Sequence, residues 1–474
     1  MRSTVLCAFL VVVMVSWAAA QEAATAPAPD LSARLEDTLA RLDAAQRRID
    51  ELEARVGALE GSVGAASRDV GSLSGQMKAI EEKARGPAAP AQDAVKITPY
   101  GQIKVDAAVN NSATNSADDP TYVIQEKANF GNDRNFALTV RQTQFGLNIQ
   151  TPDVAGGKSR GKVEIDFYAP AAAEIKPEPR LRYAYWELVY PEWSVLVGQA
   201  IDVMSPIYPV TLNRPHLDQS GNIGYRRPMV KYQRTFTIGG DSLQTELALA
   251  RGSASPASSS VLDDAASDAG WPLVEARAGI SIPTALKRPI VFGISGHVGQ
   301  EEYDRVTLDA GPPASLKTVS GNGNEFMTYS GNLDWKAPLA ENWDVAGEFF
   351  AGRNLDDFVG GIGQGVNNAA NQGATKFASA LNKPIDAIGG WTQITYRPVK
   401  KWSLSVGAGI DDPDNADLSG AINRARNLTC FANAIYSATS NLSVGLETAY
   451  MDTDYLTGAS GDNVRIQSSL IYKF

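Results

Sequence analysis

The sequence predicts an all-β fold: a 16-stranded antiparallel transmembrane β-barrel, preceded by an N-terminal α-helical coiled coil. Three observations predict it. From Ile97 to Phe474, segment after segment alternates apolar and polar residues with period two. The polar parity carries charge in nearly every segment, as a wall with lipid outside and water inside requires. Before that region, residues 31–80 hold an unbroken seven-residue repeat. Composition agrees. Of 474 residues 20% are charged and the net charge is −10. A helical membrane bundle would need several apolar runs of about 18 residues or more. A nucleic-acid binder would show a net basic surface.

Residues 1–20 read as a secretory signal peptide: Arg2, an apolar core from Val5 to Val15, then Ala18-Ala19-Ala20 before Gln21. Residues 21–30 are a short disordered lead. The coiled coil spans 31–85. One seam holds Leu35, Leu42, Ile49, Val56, Val63, Val70 and Met77, and the other Leu31, Leu52, Leu59, Leu73 and Ile80 with smaller residues between. Glycines 57, 61, 64, 71 and 75 leave dimer and trimer open. A Pro/Ala linker, 86–96, breaks the helix.

The barrel, 97–474, follows. Strands are expected at 97–110, 136–151, 159–169, 180–190, 193–201, 225–237, 242–252, 272–283, 288–300, 324–337, 342–354, 386–398, 401–411, 423–437, 441–452 and 463–474. Tyr100, Tyr183, Trp193, Trp335, Trp343, Trp391 and Trp402 sit at strand ends, where interfacial aromatic girdles belong. Stretches rich in Gly, Asn, Ser and Asp at 111–135, 253–270, 301–323, 355–385 and 412–422 read as extracellular loops. Gly360-Gly-Ile-Gly-Gln-Gly365 lacks nucleotide-loop spacing and reads as flexible loop.

In the last strand Val464, Ile466, Leu470, Tyr472 and Phe474 share one parity, and Arg465, Gln467, Ser469 and Lys473 the other. This strand resembles the closing strand of bacterial outer-membrane β-barrels, and the resemblance implies that Phe474 engages the barrel-assembly machinery. Segment 202–224, punctuated by prolines, resembles the porin loop that folds inward and narrows the pore. It carries the constriction candidates Asp202, Arg214, His216 and Asp218. Near it stand Arg141, Arg180, Arg182, Arg226, Arg227 and Lys231. Facing lipid would cost a basic side chain about 2–4 kcal/mol near the midplane, so these residues are expected in water. Arginines there favour carboxylates through bidentate contacts, unless Glu164, Asp166 and Glu187 on the same strands neutralise them. Arg141 stands off the wet parity of its strand, which allows a bulge or rim position.

The stretch Val140-Arg-Gln-Thr-Gln-Phe-Gly146, with Glu164-Ile-Asp-Phe167, Arg180-Leu-Arg-Tyr-Ala-Tyr185 and Val197-Gly-Gln199, is similar to the DcaP-like outer-membrane porins. The first of these motifs holds Gln144 where a second arginine is usual. The resemblance implies a passive diffusion channel for small hydrophilic solutes, preferring anions such as dicarboxylates. It implies a homotrimer in the bacterial outer membrane, in contact with lipid and lipopolysaccharide, with the coiled coil in the periplasm. By it, Arg141, Arg180 and Arg182 are pore-lining, with Arg227 and Lys231 beside them. The alternative is a structural barrel whose coiled coil tethers the membrane to the cell wall or a partner. No enzyme is expected: Ser295-Gly-His297 lacks an acyl-transfer elbow. Two histidines and two cysteines predict neither a metal nor another cofactor.

Overall fold

A computed structural model of the chain describes residues 95–126, 133–169, 175–252, 269–302, 305–306, 317–318, 325–367, 383–418 and 423–474. The expected signal peptide, lead and coiled coil, and residues 86–94 of the linker, lie outside the described residues.

Two short two-stranded ladders aside (305–306 with 317–318, and 366–367 with 383–384), the described strands form one closed antiparallel sheet. Its segments are β1 (Lys96–Asn110), β2 (Asn135–Thr139), β3 (Gln144–Val154), β4 (Gly157–Asp166), β5 (Arg180–Val189), β6 (Trp193–Ile201), β7 (Arg226–Ile238), β8 (Asp241–Ala250), β9 (Leu273–Ile282), β10 (Ile290–Glu302), β11 (Glu325–Ala340), β12 (Trp343–Arg353), β13 (Asp386–Tyr396), β14 (Trp402–Pro413), β15 (Arg424–Ser437), β16 (Leu442–Tyr455) and β17 (Ser460–Lys473). Each pairs with the next around the wall, except that β2 and β3 do not pair with each other. Closure comes from β1, which pairs with β3 at its start, with β2 at its end and with β17 along its other edge. Segments β2 and β3 are therefore one wall strand in two pieces, and the barrel has sixteen strands. The chain expected as a continuous strand over 136–151 leaves the wall at 140–143. There Lys104 Nζ reaches the Gln142 amide and its backbone N–H donates to Thr143 Oγ1. Closure satisfies the backbone of every edge, which a lipid-embedded sheet demands.

The two faces show which solvent each meets. On β16, Leu446 is 58% exposed and Glu447 beside it is 2% exposed. On β17, Ile466 is 54% exposed and Arg465 is 1% exposed. Apolar side chains point out and polar ones point in, the reverse of a water-soluble domain. Stacked ring pairs Tyr190–Trp193 and Trp343–Tyr396 mark the end with short turns, as an interfacial girdle does. Three expected girdle residues are not there. Tyr100 turns inward to donate to Glu164, Tyr183 packs against interior apolar residues, and Trp391 is 2% exposed inside the barrel beside Leu217.

Candidate functional site

Three segments from the long-loop end enter the barrel. The first, 202–225, leaves the wall after β6 because Pro206, Pro209 and Pro215 cannot continue a hydrogen-bonded ladder. Its base is pinned: Asp202 N–H donates to Tyr225 O at 3.0 Å, and Tyr225 N–H donates to the Asp202 carboxylate at 2.7 Å. The segment then lies along the far wall. Val203 N–H donates to Glu275 at 2.9 Å, Ser205 Oγ to Glu348 at 2.6 Å, and Val210 N–H to Gln393 at 2.7 Å. Leu212 N–H donates to Glu447 at 2.6 Å, and Lys104, Gln467 and Asn433 donate to the carbonyls of Leu212 and Val210. The glycines here have a steric task. A Cβ on Gly221 (φ +105°) would lie 2.1 Å from Gly390 O, and one on Gly409 would lie 2.1 Å from Ser220 O. Loop backbone rests directly on wall backbone.

The second segment, 354–366, was expected as an exposed loop and instead packs inside. Leu355, Phe358 and Ile362 are fully buried, and the first two join Val203, Met204, Ile223 and Phe350 in an apolar cluster within the lumen. Gly360–Gly365 is not a flexible loop. Ile362 N–H donates to Asp411, Gln364 donates to Arg424 O, and Val359, Gly361, Ile362 and Gly363 take positive φ to make the turn. The third segment, 111–126, anchors through Val123, whose N–H donates to Thr453 and whose carbonyl accepts from Tyr455.

Neither β4 nor β5 receives a hydrogen bond from 202–225 among the described residues. That wall meets the apolar cluster of Val203, Met204 and Ile223 through Tyr183 and Tyr185. It presents Lys162, Glu164, Asp166, Arg180, Arg182, Tyr183 and Tyr185, with Arg226 at the start of β7. Burial holds the His216 imidazole neutral, with a pKa down to about 3, and Lys104, Arg214, Arg182 and Arg226 add to the effect. Burial pushes the Asp218 carboxyl up to about 6, although Arg214 and the Asn222 amide favour its charged form. Burial also raises the Tyr208 phenol.

The expected residues fall into distinct places. Arg180 binds Asp166 at 2.6 Å, and Arg182 bridges Glu164 at 2.6 Å and Asp166 at 2.9 Å, so both arginines are paired along their own wall. Lys231 pairs with Glu246. Arg141 lies in the 140–143 break, paired with Asp118 at 3.0 Å, and Arg214 pairs with Asp119 at 2.5 Å. Both guanidiniums lie against the Tyr168 ring, at 4.3 and 4.4 Å, and latch three connections of the long-loop end together. His216 meets Thr211 Oγ1, and Asp218 accepts from Asn222. Two expectations change. Arg227, expected to line the pore, is 1% exposed and bound to Asp202 at 2.8 Å and Asp357 O at 2.8 Å. Asp202, expected at the constriction, is 1% exposed at the loop base. The β6–β7 pairing sets both side by side, in one enclosed ionic cluster with Glu275 on the side filled by the inserts. Replacing Arg227 by Met strands these carboxylates without a counter-charge. The expected cost is about 3–5 kcal/mol, read as a lower temperature for the heat-induced gel shift of the folded barrel. An unmoved transition would refute this role.

Sequence reasoning missed the acceptors that seat the loop: Glu275, Glu348, Gln393 and Glu447. Their inward parity was visible, but their partners lie at large sequence separation. It also placed no weight on Lys162.

No protein-family model and no curated protein matches the sequence. Solved structures do match in fold. The outer membrane channel DcaP of Acinetobacter baumannii is 15% identical, with a TM-score of 0.59 over 80% of this chain and 97% of that one. An anion-selective porin from Comamonas acidovorans is 10% identical, with a TM-score of 0.50 over 80% of this chain and 100% of that one. The fold of this barrel is that of these outer-membrane channels.

Proposed function

We propose that the chain is an outer-membrane porin of the DcaP-like kind: a passive diffusion channel whose water path runs between the inserted loop and the β4–β5 wall. The seating of 202–225 on the opposite wall carries this reading, because among the described residues the loop's hydrogen bonds go to that wall and none goes to β4 or β5. The anion preference rests on a charge balance. Four cations, Lys162, Arg180, Arg182 and Arg226, stand against two carboxylates, Glu164 and Asp166. Among the described residues Arg226 joins no ion pair. Small carboxylates suit such a surface, since guanidinium binds them in bidentate fashion. The short-turn end faces the periplasm, the assembly is a homotrimer, and Phe474 presents the assembly signal. Arg141, Arg214, Asp202, Arg227 and Lys231 hold the loops and walls in place, and Arg180, Arg182, His216 and Asp218 border the path.

The test is the reversal potential of the purified protein in a planar bilayer under a salt gradient. Stepwise conductance with anion preference is expected. A folded, heat-modifiable oligomer that never conducts would overturn the reading. The pH response follows from Asp218. Its charge is present above about pH 6 and is lost as pH falls through that value. His216 stays neutral until far lower pH. Anion preference should therefore rise between pH 7.5 and 5, and Asp218→Asn should abolish that rise. A slope that survives in the variant assigns the titration elsewhere.

A further inference from the structure

The short-turn end carries a charged cavity of its own. It has a volume of about 630 Å³ and is walled by the turn before β10, the turn between β11 and β12, and the turn after β13. Arg288, Lys336, Arg397, Lys400, Glu341 and Asp344 line it. Lys336 shares the parity of Asp334, and Asp344 that of Glu348, both buried residues of the inner face. The cavity therefore opens on the inner rim of the barrel.

One carboxylate organises the cluster. Asp344, 9% exposed, accepts from Arg288 on one oxygen and from Arg397 on the other. Arg288 also donates to the carbonyls of Ala340 and Glu341. Arg397 is fixed through its backbone N–H, 2.8 Å from Asn342 O. Two guanidiniums share one carboxylate, which leaves one positive charge over. Neither Lys336 nor Lys400 enters an ion pair among the described residues. Four cations thus surround two acids in a recess whose shape is held by backbone and ring constraints, with Pro289 and Pro338 in its wall. Preorganised donors around uncompensated positive charge bind carboxylates and phosphates.

We propose that this recess is an anion-binding subsite at the short-turn mouth, which takes a small polycarboxylate or phosphate as it leaves the barrel. The proposal rests on the channel reading, and its test separates the two. The probe is citrate, used with the full-length protein. In calorimetry of the detergent-solubilised chain, citrate is expected to bind, and Lys336→Gln with Lys400→Gln is expected to weaken binding at least fivefold. In bilayers, citrate added on the short-turn side should block chloride current at lower concentration than citrate added on the long-loop side. The double variant should remove that asymmetry. Binding unaffected by the substitutions, or block equal from both sides in the unaltered protein, overturns the subsite. Calorimetric binding that is lost in the variant, in a protein that passes no current, supports the subsite and overturns the channel. The lysines are chosen because removing Arg288 or Arg397 would strand Asp344.

Discussion

Replacing Arg180 and Arg182 together by Gln is expected to swing the channel from anion toward cation preference. The two arginines are the partners of Glu164 and Asp166, so their removal exposes two carboxylates in addition to deleting two positive charges. Lys162 and Arg226 then only balance those acids, and Asp218 tips the remainder negative. A unit charge about 5 Å from a passing ion contributes about 0.8 kcal/mol in water and about 3 kcal/mol at an effective dielectric constant near 20. A net change of about 1 to 2 kcal/mol corresponds to roughly five- to thirty-fold in the anion-to-cation permeability ratio. The effect should shrink in molar salt, where the screening length falls to about 3 Å. The converse pair, Glu164→Gln with Asp166→Asn, leaves four cations unopposed and should raise anion preference. Reversal potentials of both variants measure this. Equal potentials in the two variants would remove this wall from the conduction path.

The second large effect is steric. Gly409→Val puts a branched side chain where Ser220 O lies 2.1 Å from an ideal Cβ. That carbonyl belongs to a turn whose N–H is itself bonded to Leu217 O, and Leu217 packs on Trp391. The turn moves as a unit, away from β14 and toward the β4–β5 wall. It loses the bonds from Asn427 to Gln219 O and between Ser220 and Thr429, each worth about 0.5–1.5 kcal/mol net. Single-channel conductance should fall by about half or more. Gly331→Val is the matched control: a Cβ there meets nothing within 4 Å, and the position faces outward. If the two variants conduct alike, the loop is not seated on Gly409.

Much of the barrel was legible because its cause is local. Each wall residue meets either lipid or the interior, and the pleat assigns those environments alternately. Every expected strand overlaps an observed one, and the ends differ by a few residues, as at β4, which begins at Gly157, and β17, which begins at Ser460. The break at 140–143 left one trace, an arginine off the wet parity of its strand. The prolines of 202–224 marked the first insert, and the other two left no trace. Residues 111–126 are polar and 354–366 glycine-rich, like many outer loops, and their burial depends on a lumen that exists only after closure. Charge pairing was equally hidden. Glu164 and Asp166 were visible as possible neutralisers of Arg180 and Arg182, two of many arrangements one parity permits.

The sequence by itself determined the wall: period-two alternation under two solvents, sixteen strands, and a closing strand whose Phe474 backbone pairs with Gly101. Only the tertiary structure decided what fills the wall. Arg227 meets Asp357 across 130 residues, and Leu212 meets Glu447 across 235. Periodicity is a property of neighbours along the chain. A hydrogen-bond partner is a property of neighbours in space, and closing a cylinder makes neighbours of residues that no local pattern relates.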